Sequence, residues 1–151
     1  MSIYTIERRQ IISKPVEQVF SFFADVENLD RITPRWMRFR IRTPAPVAMH
    51  AGARIEYTIR WRGLPIRWLT EIEEWLPGKR FVDRQVRGPY RLWHHTHSFK
   101  AAGDKTIMED VVRYALPLGP IGQIAHAALV RRDVERIFDF RASRIQELMG
   151  T

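Results

Sequence analysis

Hydrophobic and polar positions follow two different periods along this chain, and the change of period divides it. From Ile121 to Met149 the apolar residues recur at steps of three and four: Ile121, Ile124, Ala128, Leu129, Ile137, Phe138, Ile145 and Leu148, with Arg141 on the same line. That spacing predicts one helix with a single apolar stripe. Pro117, Gly119 and Pro120 punctuate its start and Gly150 its end. Its roughly 29 residues would reach about 43 Å at 1.5 Å each. A stripe of that length needs a broad surface to lie on.

The preceding residues supply one by alternating with a period of two. Ile3 to Ile12 reads as a first strand. Ser13-Lys14-Pro15-Val16-Glu17 starts a short helix, with Ser13 as its expected cap, and Val16, Val19, Phe20 and Phe23 form its stripe. A second short helix is expected from Asp25 to about Pro34. Trp36 to Arg42 alternates, with Met37, Phe39 and Ile41 on one side and three arginines on the other, and is expected to be a strand. Ile55, Tyr57, Ile59 and Trp61 alternate in the next run, and Ile66, Trp68, Thr70 and Ile72 in the one after. Phe81 to Arg87, Tyr90 to Lys100 and Thr106 to Leu116 follow, separated by Gly- and Pro-containing turns. Phe81 and Val82 compete for the inward side of their strand, which leaves the direction of Asp83 undecided. The predicted order is strand, two short helices, six strands, long helix. Short turns between strands imply antiparallel hairpins, and the long helix is the element able to cover the apolar face.

Composition narrows the classes. A chain of 151 residues with 45% apolar and 28% charged content is expected to form one domain over 1–151, with a core of its own. It contains no cysteine, which excludes disulfides, thiol nucleophiles and cysteine-based zinc sites. The first ten residues lack a signal-peptide core and no apolar run reaches 18 residues, so a cytoplasmic location is expected. Net charge is +8, carried by 21 Arg and 4 Lys against 17 acidic residues. Arg38, Arg40, Arg42, Arg60 and Arg62 would make an outer basic patch, but Glu56, Glu71 and Glu73 share that face and no aromatic is interleaved. Nucleic-acid binding is therefore disfavoured. The same arginines are compatible with transient contact with an anionic membrane surface. Neither monomer nor homodimer is selected by the sequence.

The element order and four segments resemble the START-related superfamily, the helix-grip proteins that include the birch-pollen allergen, lipid-transfer domains and polyketide cyclases/dehydrases (often called SRPBCC). The segments are Ile12–Phe20, Ile72–Phe81, Gly88–Phe99 and Asp110–Gly119, and the last two look like a bacterial ligand-binding subgroup. The resemblance implies an α+β helix-grip fold, in which a curved antiparallel sheet of about seven strands wraps a long C-terminal helix around a central cavity. It implies a small hydrophobic or amphipathic ligand such as a lipid or polyketide, with a cyclase/dehydratase-like enzyme as the alternative. No cofactor is implied.

The chemistry-bearing cluster is Trp93-His94-His95-Thr96-His97. On a strand Trp93, His95, His97 and Phe99 share one face, and two aromatics argue that it is the inner one. Buried imidazoles need partners, and Asp110, Asp83 and Gln85 on neighbouring strands are the candidates. Asp110 shares its face with Met108 and Tyr114. Three readings stay open: a structural His–Asp network, ligand orientation, or acid–base catalysis by His95 or His97 with Asp110. Two histidines two apart could reach one metal ion, but spacing signals no third ligand, so no metal is expected. Tyr57, Trp61, Trp68, Trp93, Met108, Tyr114, Leu129 and Ile137 are expected to line the core or cavity. Arg141 near the helix stripe would serve a ligand carboxylate or, more simply, snorkel to the rim. His126 is expected in solvent.

Overall fold

The computed structural model describes residues 2–150. Strand β1 (Tyr4–Ile12) leads into α1 (Val16–Ala24) and α2 (Asn28–Arg31). A 3-10 turn over Arg35–Met37 precedes β2 (Arg40–Ile41). Five long strands then run as a meander: β3 (Arg54–Trp61), β4 (Leu64–Leu76), β5 (Arg80–Arg87), β6 (Leu92–Ala102) and β7 (Lys105–Ala115). Helices α3 (Gly119–Ala125) and α4 (Arg131–Met149) end the chain, joined without a break by a π-helical turn over His126–Val130.

All seven strands form one antiparallel sheet in the order β1-β7-β6-β5-β4-β3-β2. The two strands flanking α1 and α2 therefore lie at opposite edges, and the short helices carry the chain between them. The two-residue period holds through the meander, because side chains on a strand must alternate across the sheet. This is the helix-grip architecture expected from the element order.

Three local expectations fail for identifiable reasons. Ser13 does not cap α1; Pro15 stands at that position with no side-chain hydrogen bond, and its carbonyl accepts from Val19 N at 3.1 Å. The expected strand over Trp36–Arg42 is mostly a turn. Arg38 takes a left-handed conformation (φ 44°), which interrupts the alternation and leaves only Arg40 and Ile41 to pair with Thr58 and Tyr57. The long apolar stripe is split. Its first part, Ile121 and Ile124, is 68% and 71% exposed, whereas Val134, Phe138 and Ile145 are buried.

The core has two parts. One lies under α1, where Phe20, Phe23, Phe81, Phe99 and Met108 meet Ile145 and Met149 of α4. The other joins Ile6, Val112 and Tyr114 to Val134 and Phe138. Both fasten α4 to the β1–β7–β6 side, helped by Gln10 Nε2 donating to Ala142 O at 2.9 Å. At the far side the β3–β4 turn reaches α4 through polar contacts: Trp61 Nε1 donates to Asp133 at 2.7 Å, and Arg62 forks onto the same carboxylate. The space between these two attachments is the cavity. On the outer face Glu71 accepts from Arg54 and Arg84, and Glu56 and Glu74 pair with Arg67 and Arg80. No helix among the described residues is long and apolar enough to cross a membrane.

Candidate functional site

The cavity encloses about 320 Å³ between the sheet and α4. Its walls are mainly aromatic and aliphatic. Tyr57 stacks against Trp68, and Trp93 meets Trp68 edge-on at 5.3 Å. Ile55, Ile59 and Ile66 continue the sheet wall, and Ile137 and Phe138 form the helix wall. A buried polar cluster abuts this lining, and three strands and the helix build it.

Register places the polar groups together. Asp83 on β5 is opposite His95 on β6, and His97 is opposite Asp110 on β7. His95 Nε2 lies 2.8 Å from Asp110 Oδ1, and His97 Nε2 lies 2.6 Å from Asp83 Oδ2. The two imidazoles stack with centroids 3.6 Å apart, and Phe81 covers the other side of His97 at 4.0 Å. Arg141 reaches in from α4, its Nη2 donating to Asp110 Oδ1 at 3.3 Å. His95, His97, Asp110 and Arg141 are all less than a tenth exposed. Asp83 is inward with Phe81, which settles the direction the sequence left open.

Charge in this cluster is balanced by mutual contact. Burial works against an ionised Asp110, but the Arg141 guanidinium and the bonds from His95 and His97 outweigh it and hold the carboxyl well below its ordinary range. Burial likewise opposes ionised Asp83, and the bond from His97 with the nearby positive charges overrides it. His97 is desolvated too, yet hydrogen bonds to two carboxylates raise its affinity for a proton. His95 goes the other way: burial and the neighbouring His97 cation push it down to about 4. The cluster thus keeps both carboxylates ionised beside Arg141 and His95 neutral near neutral pH, and it favours a proton on His97. A neutral His95 donating from Nε2 to Asp110 keeps a lone pair on Nδ1, whose nearest carboxylate oxygen, on Asp83, is 3.8 Å away. Tyr57 hydroxyl, bonded to Thr70 at 3.1 Å, is raised by burial and by the Asp83 charge and stays protonated. Arg141 Nε and Trp68 Nε1 are buried donors with no partner among the described residues.

Of the residues singled out in the sequence, Tyr57, Trp61, Trp68, Asp83, Trp93, His95, His97, Ile137 and Arg141 line the cavity. Asp110 stands behind the imidazoles and touches them rather than the cavity. Four residues lie elsewhere. Gln85 clasps the β5–β6 turn, accepting from Tyr90 N at 3.0 Å and donating to Tyr90 O at 2.7 Å. Met108 is packed under α1. Tyr114 bonds His126 at 2.8 Å outside the cavity. Leu129 is 39% exposed, carried out by the π turn. Two expectations of exposure also fail: Arg141 is buried instead of snorkelling, because Asp110 awaits it, and His126 is buried against Tyr4 at 3.5 Å.

Sequence reasoning missed Thr70, Tyr90 and Asp133 as lining residues. Thr70 was visible in principle, since it shares the inward parity of Trp68 and Ile72. Asp133 carried no signal, because one acidic residue in a helix's first turn is ordinary.

The fold recurs in solved structures at low identity. The Thermus thermophilus protein TTHA0849 matches with TM-score 0.73 at 19% identity, covering 96% of this chain and 99% of its own. A START superfamily protein from Mycobacterium smegmatis matches at TM-score 0.67 and 14% identity, over 96% and 99%. The Zhui aromatase/cyclase from Streptomyces sp. R1128 matches at TM-score 0.69 and 12% identity, over 99% and 100%. No curated protein matches the chain by sequence. The family model for polyketide cyclase / dehydrase and lipid transport matches residues 12–140, and the chain belongs to that family.

Proposed function

We propose that this protein binds a small, mostly apolar molecule in the cavity and orients a polar end of it against Asp83, His95 and Arg141. The observation that carries this reading is the cavity itself: about 320 Å³ of largely aromatic and aliphatic wall, at one part of which Asp83, His95, His97 and Arg141 meet. Few, convergent polar groups in an apolar pocket fix orientation, while the walls supply affinity by removing apolar surface from water. The family covers both lipid transport and cyclase or dehydrase members, which fits a ligand of either kind.

A second reading rests on His95. Its Nε2–H is held by Asp110 and its Nδ1 lone pair is free, which is the arrangement of a general base oriented by a carboxylate. In that reading His95 removes a proton next to a ligand carbonyl, and protonated His97 with Arg141 stabilises the oxyanion that forms. The family relatives that are cyclases or dehydrases make this the enzyme alternative.

The test is native mass spectrometry on protein from its own host, with organic extraction of whatever is bound. Tryptophan fluorescence gives the affinity, because Trp61, Trp68 and Trp93 line the cavity. A near-stoichiometric apolar molecule that quenches these tryptophans saturably is expected, and Ile66→Trp, which fills the cavity, should abolish the effect. An empty protein that no apolar probe quenches would refute the proposal.

A further inference from the structure

We propose that His95, His97 and Asp83 form a tetrahedral site for one first-row divalent metal ion, its fourth coordination position open to the cavity. The inference deepens the ligand-binding reading of the same wall, but the metal can be tested alone, so that reading stands if this one fails.

The argument starts from Asp110. Its Oδ1 lies 2.8 Å from His95 Nε2, 3.3 Å from His97 Nδ1 and 3.3 Å from Arg141 Nη2. This oxygen bonds His95 Nε2, and His97 Nδ1 lies 3.3 Å from both it and Arg141 Nη2, so that with Nδ1 protonated Asp110 also fixes the second ring. The other nitrogens face Asp83: His95 Nδ1 carries a lone pair, and His97 Nε2 gains one once the proton it shares with Asp83 is displaced. A carboxylate behind a histidine is the usual outer partner of a metal-bound imidazole, where it sets tautomer and ring direction. Here one carboxylate serves two rings, and Arg141 neutralises it so that it does not compete for the ion.

The three inner atoms converge. One ligand atom each of Asp83, His95 and His97 lie within 4.8 Å of one another, and Asp83 Oδ2 is the oxygen that both His95 Nδ1 and His97 Nε2 approach. An ion bonded at about 2.1 Å to each would hold them roughly 3.4 Å apart in a tetrahedral site. Asp83 Oδ2 is now 2.6 Å from His97 Nε2 and 3.8 Å from His95 Nδ1, so the first gap must widen and the second narrow, each by less than an ångström. The rings, stacked at 25° to each other, must also tilt for both lone pairs to meet one centre. The proton now between His97 and Asp83 is the competitor the ion displaces.

Imidazole with carboxylate suits zinc, iron or nickel rather than magnesium or calcium. With both histidines neutral, the ion and Arg141 against two carboxylates give the cluster a net charge of +1. The open position therefore favours an anionic oxygen on the bound molecule, such as a carboxylate, phenolate or enolate, within an apolar enclosure.

The test uses tag-free protein stripped with chelator, titrated with Zn²⁺ by calorimetry and with Co²⁺ by visible absorption. One ion per chain is expected, with the intense cobalt bands of a low-coordinate site. Asp83→Asn and His97→Gln should each weaken binding at least about a hundred-fold, and Asp110→Asn roughly 10–100-fold, as loss of an outer partner does. His94→Ala, on the outer face, should leave it unchanged. Circular dichroism checks that each variant is folded, and the wild-type cobalt spectrum reports ligation independently of any variant. Absence of binding in excess metal, octahedral cobalt only, or affinity unchanged in folded Asp83→Asn and His97→Gln would overturn the proposal.

Discussion

Arg141 decides how the polar cluster survives inside the protein. Taken alone, Asp110 would be a buried carboxylate with two imidazoles for company, and desolvation would favour its neutral form. The guanidinium at 3.3 Å changes the balance. Arg141→Met should therefore cost about 3–5 kcal/mol in urea unfolding, because it leaves a buried charge uncompensated. Adding Asp110→Asn should recover part of that loss, since the pair is coupled and its removal together is less damaging than removal of one partner. A strictly additive double variant would show that the two residues do not interact. How far the sequence revealed this site follows from the same chemistry. The parity of Trp93, His95 and His97 was legible because alternation on a strand is geometric. Asp110 was legible as a partner because buried histidines require one. The sequence leaves Arg141 between two outcomes, because an arginine at the edge of a helix stripe either snorkels or pairs, and only the position of Asp110 across the core distinguishes them.

At the scale of elements, the C-terminal helix shows where periodicity stops being informative. A spacing of three and four residues places side chains on one line only while the turn stays regular. The π turn at His126–Val130 holds more residues than an α turn, so the helix before it is rotated relative to the helix after it. Ile121 and Ile124 thereby face out and Ile145 faces in. The expectation is that Ile121→Gln changes stability by no more than about 0.5 kcal/mol, whereas Ile145→Ala costs about 2–5 kcal/mol by opening a cavity. Gly122 gives a sharper case. Alanine is intrinsically better in a helix than glycine by about 1 kcal/mol. A Cβ at Gly122, however, would sit 2.1 Å from the Pro117 carbonyl oxygen, which is backbone and cannot swing away. Gly122→Ala should destabilise by about 1–3 kcal/mol, the usual cost of overpacking, and a stabilised variant would mean that the Pro117–Gly122 approach is relaxed in solution. The strand expected over Trp36–Arg42 failed for a related reason. Met37 and Phe39 do line the cavity, so the inward positions were correct, but a left-handed Arg38 delivers them from a turn.

At the scale of the molecule, the order of elements and the closing helix were readable from short hairpin turns, whereas the cavity followed only from the family resemblance and its volume not at all, because that depends on how far the sheet curves away from α4. The whole-molecule property that follows from the buried cluster is the dependence of stability on pH, measured in chelator to keep metal out. In the unfolded chain both histidines titrate near 6.5. His97 is raised in the fold, so its contribution is complete below 6.5 and is lost as pH rises through its folded value. His95 is lowered to about 4, so between 6.5 and about 4 the unfolded chain takes a proton that the folded protein refuses. Stability therefore falls with acid across that window, by about 3 kcal/mol at 1.36 kcal/mol per pH unit. His126, lowered by burial and by Arg131, pulls in the same direction. Asp83 and Asp110 are both lowered, and their contributions are lost below the unfolded carboxyl value of 3.8. These signs place the maximum of stability close to pH 6.5, with losses on both sides for different reasons. Urea midpoints measured across pH should show that maximum. In His95→Gln, whose amide can still donate to Asp110, the acid-side slope should shrink while the alkaline side persists. A wild-type profile flat between 6.5 and 4, or a His95→Gln profile identical to it, would mean that His95 is not held neutral by burial beside His97.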